Sequence, residues 1–226
     1  MQISSHDIIY EDNHLIALNK RPGQIVQGDK TGDQPLSDAL KDYLKQKYTK
    51  PGNVFCGVIH RLDRPVSGVV LFAKTGKALS RMNTLFRNRE TEKIYWAIIR
   101  NKPPQIEAEL HHYLVKNENL NKSFLSHPGK PGALSCSLRY KLLKSAERYS
   151  LLEVYPLTGR HHQIRVQLAA AGMPITGDVK YGDKRANEDA SICLHARKLL
   201  FKHPVSGIQI LIQAPVPDQK YWNLFE

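Results

Sequence analysis

The chain has 226 residues, 41% of them hydrophobic and 24% charged, enough to bury a core without disulfide or metal staples. Thirty-three Lys and Arg against twenty-one Asp and Glu leave a formal charge of +12, which suits a polyanionic partner such as nucleic acid; the cations are dispersed and do not form the basic tail or amphipathic helix of a membrane-surface protein. No run approaches the ~20 apolar residues of a membrane span, the first residues lack the basic and apolar regions of a signal peptide, and three scattered cysteines (Cys56, Cys136 and Cys193) point to reduced thiols and a cytoplasmic setting.

In chain order, Ile8-Ile9-Tyr10 and Leu15-Ile16-Ala17-Leu18 read as two short strands around the polar turn Glu11 to His14, and Lys20-Arg21-Pro22-Gly23 breaks the pattern. Leu36, Leu40, Tyr43, Leu44 and Tyr48 follow helical spacing, with Pro35 near the start and Pro51-Gly52 as the stop. Residues 54–59 and 69–73 read as buried strands flanking a polar insert, His60 to Gly68. A helix with Leu79, Met82, Leu85 and Phe86 on one side follows. Lys93 to Ile99 then alternates with period two, placing Ile94, Trp96 and Ile98 on one face and Lys93, Tyr95 and Ala97 on the other. Residues 101–132, rich in Asn, Lys, His, Pro and Gly, read as loops or a peripheral excursion. Strands are expected at 134–143 and 149–156, a helix from about 160 to 171 ended by Gly172, and strands at 193–201 and 208–213. The mixture predicts a single α+β domain over residues 1–226 with a mixed, largely antiparallel central sheet flanked by helices and loops.

Two segments concentrate chemistry. His60-Arg61-Leu62-Asp63-Arg64-Pro65-Val66-Ser67-Gly68 sets two arginines around one aspartate at the end of a buried strand, and Pro65 and Gly68 force the backbone to turn there. An Asp held near cations stays ionised and suits a nucleophile or an electrostatic stabiliser; the same pattern also fits an ion pair that closes a loop. Thr158-Gly159-Arg160-His161-His162-Gln163-Ile164-Arg165 is the second, with Thr158 as a candidate N-cap and free N–H groups for an anion. An exposed basic helix face is the plain alternative. Tyr95 could stack on a base pulled from an RNA helix, or simply pack with its hydroxyl in water. Neighbouring histidines on a helix point apart, so His161 and His162 do not form a chelating pair, and neither a zinc signature nor a phosphate loop is present. No metal and no organic cofactor is expected.

Taken together and in this order, His60-Arg61-Leu62-Asp63 with Ser67-Gly68, Lys93-x-Tyr95, Gly159-Arg160-x-His162-Gln163-Ile164-Arg165, Gly177-Asp178-x-Lys180-Tyr181-Gly182, Leu194-His195-Ala196 and His203-Pro204 resemble the RluA family of pseudouridine synthases. The resemblance covers nearly the whole chain. It implies the pseudouridine synthase catalytic fold around a basic cleft, with isomerisation of uridine to pseudouridine in a structured ribosomal or transfer RNA. It implies Asp63 as the catalytic carboxylate, Tyr95 as the ring that stacks on the target base, and Arg165 as the partner of Asp63. Arg61 would hold the flipped nucleotide, Leu194 would line the pocket, and Arg160, His162 and Gln163 would contribute to substrate binding. The pattern begins by residue 8, so the S4-like RNA-binding module of some relatives is expected to be absent; a monomer without an obligatory protein partner is expected. Val66 and His161 stand where many members have Thr, a departure that touches subgroup and substrate rather than chemistry. The competing reading is an RNA-binding module that uses the same basic surface without catalysis.

Overall fold

The computed structural model describes residues 2–225. Its strands are β1 (Ile8–Glu11), β2 (Leu15–Lys20), β3 (Gly57–Val58), β4 (Ser67–Ala73), β5 (Glu92–Arg100), β6 (Glu107–Asn117), β7 (Lys122–Ser126), β8 (Leu134–Ser145), β9 (Tyr149–Pro156), β10 (Leu194–Lys202) and β11 (Gln209–Gln213). Helices α1 (Leu36–Lys47), α2 (Gly76–Arg87) and α3 (Gln163–Ala170) intervene. The chain divides into two compact units, Met1–Glu92 with Ala196–Val216 and Lys93–His195 with Pro217–Glu226.

In the first unit the strand order is β1-β2-β4-β10, with β11 on β10 and β3 on β4. β2 pairs antiparallel with β4 from Leu15↔Ala73 to Lys20↔Gly68, and every residue of β4 is buried. Leu15 and Ala17 of β2, Val69 and Leu71 of β4, Ala78 and Met82 of α2, and Phe201 and Ile212 share one core. This explains the near-continuous apolar run of β4, which has no solvent face to mark with polar residues. Thr75 caps α2 by accepting a hydrogen bond from the Ala78 N–H at 3.2 Å. The strand expected over 54–59 shrinks to two residues, because β2 holds one edge of β4 and β10 follows on the other, so β3 pairs only with Phe72 and Ala73.

In the second unit the order is β5-β9-β8-β6-β7, with antiparallel registers at each step. Leu114, Cys136, Val166 and Tyr181 form a small core beneath α3. The segment 101–132, read as loops or a peripheral excursion, is not looped throughout: it carries a long hairpin at the sheet edge, β6 and β7, turning over residues 118–121. Its alternation is real but polar: Glu107, Glu109 and His111 face solvent, while Ala108, Leu110 and His112 face inward. A half-polar inward face carries little hydrophobic signal, which is why composition alone suggested loops. α3 starts at Gln163, three residues later than expected, since its N-cap His162 is left-handed at φ 54° and cannot continue a helix. Thr158 does not cap it; its hydroxyl donates to Gln163 Oε1 at 2.7 Å and accepts from the Ser137 N–H at 3.1 Å.

Candidate active site

The first unit carries Asp63, half-buried, on the loop between β3 and β4. A turn closes that loop, with the Val66 N–H donating to the Asp63 carbonyl at 3.1 Å. Below it lies a residue that no motif marks. Lys20, at the end of β2 and 1% exposed, donates to the carbonyls of Arg21 (3.1 Å), Arg64 (3.0 Å) and Val66 (2.6 Å). The three N–H bonds of one ammonium thus match three backbone acceptors, two of them within the Asp63 loop. Burial pulls this ammonium down to about 7, and the charge of Asp63 opposes that pull. Lys20 is thus one buried cation whose charge couples to Asp63. Arg64 turns outward, to Asp33 at 2.7 Å and Thr31 at 2.7 Å, and Arg61 is exposed. Gly68 ends the loop at φ 111°, where a Cβ would sit 2.3 Å from the Ala196 carbonyl oxygen, so only glycine allows this approach to β10.

The second unit carries the remaining residues. Tyr95 lies half-buried on β5 opposite Val154 of β9. Leu194 is buried at the first position of β10. Arg165, on α3 and 5% exposed, makes a two-pronged ion pair with Asp178, itself 1% exposed: Nε to Oδ2 at 2.7 Å and Nη2 to Oδ1 at 2.9 Å. The Arg165 guanidinium also lies 5.0 Å from the ring centre of Tyr181. Two turn bonds fix Asp178, its N–H to the Ile175 carbonyl and its carbonyl from the Tyr181 N–H. Asp178 and Tyr181 both contact Arg165, and both stand in the quoted Gly177 to Gly182 motif without having drawn a role there.

Arg160, His162 and Gln163 are engaged within the chain. Gln163 Oε1 accepts from the Arg160 N–H at 2.9 Å and its Nε2 donates to the Ser137 carbonyl, while Arg160 Nε donates to the Ser135 carbonyl. His162 is buried, stacked on His161 at 3.7 Å, with Nδ1 2.8 Å from the Tyr181 hydroxyl. That hydroxyl also accepts the Ser123 N–H at 2.9 Å, so Tyr181 links His162 to β7. Burial first, and the Arg165 charge second, push His162 down to about 2.

This depression has a sign for stability. The unfolded histidine binds a proton below about 6.5 and the folded one does not until about 2, so its contribution is complete above 6.5 and is lost as pH falls through that window. Urea unfolding at pH 7.5 and 5.0 is expected to show a steeper acid loss in the wild type than in His162→Asn, by up to one proton or about 1.4 kcal/mol per pH unit. Asn keeps the left-handed backbone without titrating. Equal slopes would mean that His162 does not stay neutral in the fold.

The comparisons give this arrangement its family. Residues 14–170, which contain Asp63, Tyr95 and Arg165, match the family profile described as RNA pseudouridylate synthase. The chain belongs to that family. A relative from Vibrio parahaemolyticus, ribosomal large subunit pseudouridine synthase C, is 33% identical over 220 residues, 95% of this chain and 67% of the relative. The tRNA pseudouridine synthase C of Vibrio vulnificus is 34% identical over 242 residues, covering 97% of this chain and 94% of the relative. The fold matches the solved structure of human RNA pseudouridylate synthase domain containing 4 with TM-score 0.78, at 24% identity over 93% of this chain and 88% of that one. As an RNA pseudouridylate synthase the chain is an isomerase, with the α+β architecture that its pattern of strands and helices implied.

Proposed function

We propose that the chain isomerises uridine to pseudouridine in a structured ribosomal or transfer RNA, with Asp63 as the catalytic carboxylate. The family match carries this reading, and the built support of the Asp63 loop by Lys20 agrees with it. The reaction breaks the N1–C1′ bond, turns the uracil and forms a C5–C1′ bond within one nucleotide. It consumes neither water nor electrons. Asp63 could act by adding to C1′, by adding to C6, or by taking the 2′ proton to give a glycal. Tyr95 stacks on the extruded base, and Arg165 serves the carboxylate. Extruding the base costs a few kcal/mol, roughly, which stacking and phosphate contacts offset. Arg61, exposed two residues before Asp63, holds the flipped nucleotide. Leu194 lines the pocket, while Arg160, His162 and Gln163 support binding by bracing the segment before α3. Because no partner protein enters this scheme, a monomer working in the cytoplasm is sufficient.

The test is pseudouridine mapping of total RNA from cells with and without the gene, complemented by wild-type or Asp63→Asn protein. Discrete sites should vanish with the gene and return only with the wild type. Restoration by Asp63→Asn would overturn the catalytic assignment, and an unchanged map would favour RNA binding without catalysis.

A further inference from the structure

Helix α2 presents a surface that the proposed reaction does not use. From Gly76 to Arg89 the sequence holds Lys77, Arg81, Arg87 and Arg89 and no Asp or Glu. Among the described residues none of these four meets a carboxylate at ion-pair distance, although other cations of the same unit do: Arg64 with Asp33, and Lys47 and Lys74 with Glu11. An unpaired cationic face repels itself, and binding a polyanion is what relieves it.

Beside this face lies a hollow of about 410 Å³, walled by α2 on one side and by the turn after β10 on the other. Its lining divides by chemistry. Leu85, Pro204 and Val205 are apolar, Arg81 and Lys202 carry charge, and Thr84 adds a hydroxyl. No carboxylate lines it, and none of the residues assigned to the reaction does. The Arg81 guanidinium is steadied by one bond, Nη1 to the Pro204 carbonyl at 3.0 Å, which leaves most of its N–H fork for another acceptor. The turn is rigid: the His203 N–H donates to the Ile208 carbonyl at 2.7 Å, the Gly207 N–H to the His203 carbonyl at 3.0 Å, and the Ser206 N–H to His203 Nδ1 at 3.0 Å. His203 Nε2 sits 2.9 Å from Asp12, so this nearby acid is already engaged. Val205, 49% exposed, lines the hollow.

We propose that this hollow is a second RNA-docking site, separate from the catalytic loop, that takes one nucleotide of a single-stranded segment. The phosphate lies on Arg81 and Lys202, and the base lies against Leu85, Pro204 and Val205. The site has the volume of a small-ligand pocket and the polarity of a nucleotide, apolar on one side and cationic on the other. With no side-chain amide among its polar groups, it holds RNA rather than reading its sequence. The proposal rests on the reading of the chain as an RNA-modifying enzyme.

Fluorescence anisotropy with end-labelled bulk tRNA across a salt series tests it, using Arg81→Glu/Lys202→Glu and the neutral Arg81→Gln/Lys202→Gln. Both exposed pairs should leave the melting temperature unchanged. The charge-reversed protein should bind at least ~10-fold more weakly at moderate salt, and the slope of log K against log salt should shrink by about one in either variant, as expected for one phosphate. The single-turnover rate at saturating RNA should stay within about twofold of wild type, because the site docks RNA and takes no part in the chemistry. Variants with unchanged affinity and slope, beside a wild type that isomerises RNA, would overturn the docking site alone. A rate at saturation that falls as far as affinity would also overturn it, by placing these residues in the reaction. A wild type that neither binds nor isomerises RNA would overturn the function reading along with it.

Discussion

Lys20→Met should abolish most of the turnover and remove about 2–4 kcal/mol of stability in a single substitution. The side chain is buried, and its ammonium is the donor for the carbonyls of Arg21, Arg64 and Val66. Methionine fills nearly the same volume but offers no N–H, so the carbonyls of Arg21 and the buried Val66 lose this donor, while that of Arg64 keeps the Gly23 N–H at 2.8 Å. Each unmet buried acceptor costs roughly 1–3 kcal/mol, and relief from burying a charge offsets part of the sum. The functional loss follows from position. Arg64 and Val66 flank the turn that aims Asp63, and a shift of about 1 Å in a reacting group can cost ~100-fold in rate. Urea unfolding measures the first effect and single-turnover pseudouridine formation at saturating RNA the second. A variant with wild-type rate and stability would show that these three bonds do not organise the loop.

Why Lys20 escaped the sequence reading is instructive. It follows an apolar run and Asn19 and precedes Arg21-Pro22-Gly23, so it looks like part of a polar turn. Its burial depends on Arg64 and Val66, more than forty positions away, and no local period encodes that. The same limit applies to Arg64, whose place beside Asp63 suggested a shared site, whereas the fold sends it to Asp33. Elements with a strong period were legible. The spacing of Leu36, Leu40 and Leu44 defines α1, and the continuous run Val69 to Ala73 defines β4. The β6–β7 hairpin was not legible, because its inward face includes His112 and its outward face is charged. The start of α3 was misplaced because a left-handed His162 leaves no compositional mark. Motif order, rather than periodicity, pointed to the chemistry: Asp63, Tyr95 and Arg165 all fall within the family match.

The second large effect is expected at the Arg165–Asp178 pair, and it separates stability from chemistry. Asp178→Asn removes a charged, two-pronged partner of the buried guanidinium; breaking such a buried pair typically costs 3–5 kcal/mol, roughly, and should bring turnover down with it. That result alone cannot say whether the enzyme needs Arg165 or only needs the region folded. The double variant Arg165→Met/Asp178→Leu removes both charges together, and a buried pair replaced by apolar residues of similar size often regains most of its stability. Tyr181 then packs on the methionine where it now packs on the guanidinium. The expected outcome is a double variant that unfolds within about 1–2 kcal/mol of wild type, binds tRNA with near-normal affinity and forms no pseudouridine. Recovery of stability without recovery of turnover would assign Arg165 to the reaction and Asp178 to holding it in place. A double variant that turns over at the wild-type rate would reduce the pair to a structural clasp and remove Arg165 from the catalytic set.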